Sequence, residues 1–226
     1  MKPLRGALAA VFVVVGVVLM SAAVLHYARG ARAQSEGRQV LDRAAERGYV
    51  TATLPQERVS ARDELPRSAG TPPAAGYPMG VPLGRIRIPV AEMDWVVFGG
   101  SDEATLEKGP GHVPGTAMPN QDYGPNNCVI TAHRDSHFRR LGWLRKGHVV
   151  ELETAAGTMK YRVVSREIVT PKTVRVLGPT KKPRLTLITC YPFDFIGSAP
   201  KRLVVVTEPM GKIQQASAAP SSVSAN

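Results

Sequence analysis

Twenty consecutive uncharged, mostly apolar positions, Gly6 to Leu25 (GALAAVFVVVGVVLMSAAVL), open this 226-residue chain. As a helix rising about 1.5 Å per residue they extend about 30 Å, the thickness of a bilayer's hydrocarbon core. The run shows no polar face, which argues against a helix buried in a soluble core. Lys2 and Arg5 precede it, and Arg29 and Arg32 come after it. Ala31-Arg32-Ala33 could serve a signal peptidase, but the run is long for a signal peptide and an arginine-bearing stretch separates it from that point. Residues 1–28 therefore read as an uncleaved cytoplasmic tip and membrane anchor. The flanking charges are too evenly balanced to orient it.

The next segment is a spacer. Ser35 to Tyr49 is charged, has few apolar positions and reads as a short solvated helix ending near Gly48. Leu54 to Pro82 holds six prolines (55, 66, 72, 73, 78 and 82), a density that prevents regular structure and gives an extended linker. Residues 29–78 are thus a stalk, 79–210 a folded unit and 211–226 a Ser/Ala-rich disordered tail. The net charge is +11, but it is spread out: residues 79–226 carry 19 basic and 12 acidic side chains. No dense Lys/Arg tract of a nucleic-acid tail is present, so no nucleic-acid partner is expected; the surplus suits an anionic envelope surface. Two cysteines exclude both a disulfide-dense scaffold and a four-cysteine zinc site.

The folded unit reads as mostly β. Gly84 to Val90 alternates polar and apolar residues, and Asp94 to Phe98 gives a second strand. Ser101 is placed to cap a short helix through Lys108, stopped by Gly109-Pro110. A Gly/Pro/Asn-rich loop then runs to Asn126. Cys128 to Ala132 is a third strand, and Phe138 to Leu144 suits one or two helical turns. His148 to Thr154 and Met159 to Ile168 flank Ala155-Ala156-Gly157, a hairpin signal. Arg184 to Thr189 and Leu203 to Thr207 complete about seven strands. So many short strands in about 130 residues suggest a closed or nearly closed barrel.

Few residues could carry chemistry. Cys190 ends one strand and faces a loop opened by Tyr191-Pro192, a good place to meet a ligand, although most free cysteines are simply small buried hydrophobes. His133 ends the strand Cys128 to Ala132; a lone histidine there is ordinarily a surface side chain. Arg202 opens the last strand, where a solvated charge would be unremarkable. Together the three offer a nucleophile, an acid/base and a cation at strand ends, the minimum set for acyl transfer through a thioester.

Thr186-Leu-Ile-Thr-Cys190 resembles the TLxTC signature of sortases, continued by Tyr191-Pro192 as in many of them. Thr131-Ala-His-Arg134 is similar to the family's histidine segment, with Ala132 where many members carry glycine. Gly109 to Thr116 looks like the loop ahead of that strand, and Pro200-Lys-Arg202 with Leu203-Val204-Val205 looks like the arginine strand. The resemblance covers about Gly84 to Glu208, in the family order His, Cys, Arg. The Cys-Tyr-Pro-Phe wording and the short Cys-to-Arg loop look most like class D. By this resemblance the fold is an eight-stranded β-barrel, one strand more than the pattern counts. The implied task is to cleave a sorting signal such as Leu-Pro-x-Thr-Gly on an exported protein and join the new carboxyl end to an amine acceptor on the envelope. The barrel must then lie outside the cytoplasm, as a single-pass chain with its N-terminus inside.

In that chemistry Cys190 attacks as thiolate, His133 shuttles the proton and Arg202 holds the oxyanion or the substrate backbone. Thr131, Thr189, His112 and Tyr191 are candidates for the substrate groove. His137, four residues past His133, lacks the strand-end position and ranks second to it. Lys201 competes with Arg202 but lacks a planar fork. Cys128, inside a strand, reads as core, with pairing to Cys190 the lesser alternative. No cofactor is implied, and no clustered carboxylates support the calcium that some sortases bind. Leu65 to Gly70 (LPRSAG) looks faintly like a sorting signal, accidental or self-docking. Two other readings stay open: an L,D-transpeptidase acting on peptidoglycan, which would want Ser-His-Gly-Cys where this chain has Leu-Ile-Thr-Cys, and a non-catalytic envelope-binding module.

Overall fold

The structure, a computed structural model of the full chain, describes residues 2–46, 78–118, 127–155 and 157–211. A 45-residue helix, α1 (Lys2–Glu46), is followed by the strands β1 (Pro82–Ile88), β2 (Met93–Gly99), β3 (Gly111–His112), β4 (Asn127–Thr131), β5 (Val149–Thr154), β6 (Gly157–Val169), β7 (Arg184–Tyr191) and β8 (Lys201–Pro209). A short helix, α2 (Glu103–Lys108), lies between β2 and β3. The strands close into a barrel in the order β1-β2-β3-β4-β7-β8-β6-β5. Pairings β2–β3 and β4–β7 are parallel, and the others are antiparallel.

Alternation fills the interior. Ile86 and Ile88, Val150 and Leu152, Tyr161 and Val163, Leu185 and Leu187, and Leu203 and Val205 all point into one core with Phe138, Leu141 and Leu144. Each such side chain contributes about 1.5–3 kcal/mol by leaving water. On β7 and β8 the opposite face is buried too. Val129, Ile188, Val204 and Val206 form a second cluster outside the barrel, roofed by Val113, Val169, Val176 and Leu177. Two covered faces explain why these strands read as nearly continuous apolar runs. The roof includes a 3-10 turn, Val174–Leu177, in a stretch whose sequence pattern assigns no element.

The eighth strand is β3. With two residues it is too short to show alternation, so His112 falls in what reads along the chain as loop. The helix α2 begins one residue later than expected. Asp102 caps it, accepting from the Thr105 backbone N–H (3.1 Å) and the Thr105 hydroxyl (2.6 Å), because a carboxylate offers two acceptors where Ser101 offers one. The expected turn before β5 is a 3-10 turn, Leu141–Trp143.

The N-terminal segment differs most from the reading of the chain alone. From Val11 to Leu25 the large apolar side chains of α1 are exposed, with no protein packed on them. The helix then continues through residue 28 to Glu46, and its last third is not simply solvated. Gly30, Gln34, Gly37 and Leu41 follow the i, i+4, i+7, i+11 spacing of one helix face. Gln34 and Gly37 are buried, and Leu41 is half-buried. The Gln34 side chain accepts from Val96 N–H (2.8 Å) and donates to Val96 O (3.1 Å) and Lys108 O (2.9 Å). Arg38 donates to Asp94 O at 2.9 Å. A Cβ on Gly37 would come within 2.9 Å of Val96, and one on Gly30 within 3.1 Å of Glu107 O, so the close approach needs both glycines. Helix α1 therefore rests on β2 and α2. The proline-rich linker and Leu65 to Gly70 lie outside the described residues.

Candidate functional site

Strand pairing assembles the site. Cys190 on β7 is the cross-strand partner of Arg202 on β8. On its other side β7 runs parallel to β4, with Thr131 level with Ile188. Cys190 stands two residues further along β7, and His133 two residues past Thr131, just beyond the end of β4. Hydrogen bonds beyond the ladder hold that register: Ala132 N–H donates to Ile188 O (3.3 Å), the Thr131 hydroxyl to the same oxygen (3.1 Å), and the buried Thr189 hydroxyl to Ala132 O (2.7 Å). Thr189 thus ties the two strand ends together from inside the barrel and does not line a groove.

Parity sets the faces. Cys190 follows Ile188, and Arg202 precedes Val204 and Val206, so both sit on the outer, roofed face. Thr189 and Lys201 have the parity of the core residues Leu187 and Leu203. A groove of about 180 Å³ opens on the outer face, lined by Arg202, Val204, Ile188 and Thr131 from the barrel and by Val174 and Leu177 from the roof. The Arg202 Nη1 donates to Ala199 O (3.1 Å) and Lys201 O (2.9 Å), while Nε and Nη2 make no hydrogen bond with the described residues. The guanidinium is anchored by one nitrogen with donors to spare. Cys190 is half-buried and lies opposite Arg202 on the adjoining strand.

His133 is partly exposed, its Nε2 3.4 Å from Glu103 Oε1 of α2. His137 is a different kind of histidine. Its ring meets Trp95 edge-on, centroids 5.0 Å apart, and burial, with the charge of His133, pushes its pKa down to about 4. His112 is buried in β3, its Nε2 3.0 Å from Ala117 O and 3.2 Å from the Thr116 hydroxyl, and burial lowers its pKa too. It belongs to the framework, away from the groove. Tyr191 is half-buried and packs edge-on against Phe193 at 6.0 Å. Cys128 is 2% exposed in the core, where burial raises its thiol pKa. It stands level with Leu185, five residues and about 16 Å along the sheet from Cys190, so the two cannot form a disulfide.

One contributor has no signature in the chain. Arg134 donates to Pro192 O (3.0 Å), Phe195 O (2.6 Å) and Gly197 O (2.8 Å) and lies over the Phe195 ring at 5.9 Å. It clamps the β7–β8 connection, the segment that follows the cysteine, to the residue that follows the histidine. An arginine beside a histidine gives no hint of three carbonyl acceptors about sixty residues away. Among the described residues no group of three or more His, Cys, Asp or Glu side chains is placed to hold a metal ion.

Comparison with known proteins points the same way. The family model described as "Sortase domain" matches residues 86–210, more than half the chain. Sortase D of Bacillus subtilis (strain 168) is 31% identical over 69% of this chain and 77% of its own length. Sortase A of Listeria monocytogenes is 30% identical over 60% of each chain. Among solved structures, sortase C-1 of Actinomyces oris superposes with a TM-score of 0.53 at 31% identity, covering 58% of this chain and 75% of that one. The likeness to sortase D agrees with the class D wording around Cys190. With its closed eight-stranded barrel and its N-terminal apolar helix, a candidate membrane anchor, the chain belongs to the sortase family of cysteine transpeptidases.

Proposed function

We propose that this protein cleaves an LPxTG-like sorting signal on exported proteins through a thioester on Cys190 and transfers the acyl group to an amine acceptor on the cell envelope. The observation that carries this reading is the pairing of Cys190 with Arg202 across β7 and β8, with His133 two residues past the end of the neighbouring β4 and Arg202 lining an outer groove. The groove's apolar lining suits the Leu-Pro part of such a peptide. The Cys190 thiolate attacks the threonine carbonyl, and the oxyanion forms where the spare Arg202 donors can reach it. The C–N bond then breaks and His133 hands a proton to the departing amine. An incoming amine reverses the sequence: it loses a proton to His133, the C–N bond forms, and the C–S bond breaks.

Helix α1 anchors the enzyme as a single-pass protein with its N-terminus in the cytoplasm, since the targets are exported. The peptidoglycan L,D-transpeptidase and the binding-module readings have no observation in their favour beside the family match. The test is incubation of the full-length protein with an LPxTG-like peptide, followed by mass spectrometry. An acyl adduct on Cys190 alone is expected. An adduct on Cys128, or none, sinks the reading.

A further inference from the structure

Helix α1 leaves the apolar run and meets the barrel almost at once. The run ends at Leu25, and contact begins at Gly30, where a Cβ would stand 3.1 Å from Glu107 O of α2. Five residues of helix span about 7.5 Å. A bilayer's polar layer adds about 5–7 Å outside the hydrocarbon on each side. Docking therefore starts where the helix emerges into water. From there the helix is held by the three hydrogen bonds of Gln34, by Gly37 against Val96 and Phe98, and by the Arg38 bond to Asp94 O. These contacts spread over about 12 Å of helix, which prevents the barrel from swinging about a single point. No proline lies between Leu25 and Glu46, and its two glycines, Gly30 and Gly37, are the residues pressed against the barrel. Nothing in this stretch offers a hinge.

The docking also sets which part of the barrel lies nearest the lipid. Only α2 separates Gly30 from His133: Glu107 meets Gly30, and Glu103, one turn earlier, stands 3.4 Å from His133 Nε2. His133 lines one cavity with α1 residues from His26 to Arg38, a stretch about 2–20 Å past Leu25 along the helix axis. At the other side of the barrel, Glu153 and Thr154 of β5 line a pocket with α1 residues from Arg38 to Ala45, about 20–30 Å past Leu25. The lipid side of the barrel is thus the His133 side. Cys190 ends β7 at the same end of the barrel, because β4 and β7 run parallel.

We infer that α1 is a ruler: docked on β2 and α2, it holds the catalytic end of the barrel at a set height above the bilayer, and it thereby favours donor peptides tethered in the same bilayer whose cleaved bond lies at the matching distance from the tether. The inference rests on the proposed cleavage of a sorting signal. An extended chain covers at most about 3.3–3.6 Å per residue, so about six residues reach any height up to 20 Å. A shorter tether cannot bring the bond to the cysteine. A much longer one dilutes it, since effective concentration falls roughly as the −3/2 power of tether length. The helix beyond the membrane span is in this way a specificity element, although it touches no reacting atom.

The test uses the full-length protein in liposomes with two kinds of donor. One is a soluble LPxTG-like peptide. The other is the same peptide joined at its C-terminal end to a diacyl lipid through spacers from about two to twelve residues. Wild type should cleave the tethered donors with a peak at one spacer length. Seven alanines inserted after Tyr27 lift the barrel by about 10 Å and lie before the docked face. That variant should cleave the soluble peptide as wild type does, lose about tenfold on the donor best for wild type, and peak at a spacer about three residues longer. Gly37→Val, which frees the helix, should flatten the peak. An unshifted peak in the insertion variant overturns the ruler. A peak in Gly37→Val as sharp as in wild type overturns it too, even if the insertion variant does not fold. No Cys190 adduct from the soluble peptide in wild type overturns the proposed function, and the ruler with it.

Discussion

Cys190 and Arg202 face each other as cross-strand partners, one pair before the β7–β8 ladder ends at Tyr191 and Lys201. Cross-strand neighbours share a face, so Cys190 and Arg202 both stand on the outside of the barrel while Lys201 takes the parity of the core. Arg202→Lys should keep the fold by circular dichroism and lose about 10²–10³-fold in kcat, the usual worth of an oxyanion donor. Lys201→Ala should stay near wild type. If Lys201→Ala is the inactive variant, the assignment of the cation is wrong.

The two thiols differ in surroundings. Cys128 is buried in the core and its pKa is raised by that burial. Iodoacetamide under native conditions should therefore label Cys190 and spare Cys128. Cys190→Ala should abolish peptide cleavage, whereas Cys128→Ala should retain it with a modest loss of thermal stability. Labelling of Cys128 in the folded protein would contradict the placement of β4.

Arg134 donates to three carbonyls of the β7–β8 connection. Arg134→Ala should free that connection, giving faster amide exchange over residues 193–197 and about a tenfold lower kcat. Arg134→Lys, which brings one charge but no fork, should recover only part. Unchanged exchange in Arg134→Ala would show that the clamp is not what orders the segment.

Gly37 lies against Val96 and Phe98, and Gln34 makes three hydrogen bonds to the barrel's backbone. Gly37→Val forces α1 away, and Gln34→Ala leaves the Val96 amide and two carbonyls unpaired, at about 1–3 kcal/mol. Both should speed amide exchange in residues 30–41 and lower the melting temperature by a few degrees. A melting curve and exchange pattern unchanged from wild type would refute the docking.

His137 is held neutral, its pKa pushed down to about 4 by burial and by the charge of His133. In the unfolded chain a histidine titrates near 6.5. The folded value is the lower one, so the contribution of His137 is present above about pH 6.5 and is lost as pH falls from there towards 4. His137→Phe, which keeps a ring on Trp95, should flatten the fall in melting temperature across that window. A wild-type slope in the variant would mean another group dominates it.

Along the chain alone, Gly6 to Leu25 already demanded a lipid-length helix, because burying twenty apolar positions needs nothing but their own hydropathy. The alternation at Gly84 to Val90 and the segments around His133, Cys190 and Arg202 pointed to a β-barrel and to a row of chemistry at strand ends, since strand period and motif order are local properties. Parity even paired Arg202 with Val204 and Val206. Which face met the groove was decided by the roof at Val174–Leu177, whose contact with β7 and β8 no local pattern encodes. Two-residue β3 is a strand only because β2 and β4 lie on either side of it. Gln34 and Gly37 read as solvated until Val96 supplied a partner. Arg134 likewise depended on carbonyls about sixty residues away. Local spacing reports what a residue can face; only the folded barrel says what it does face.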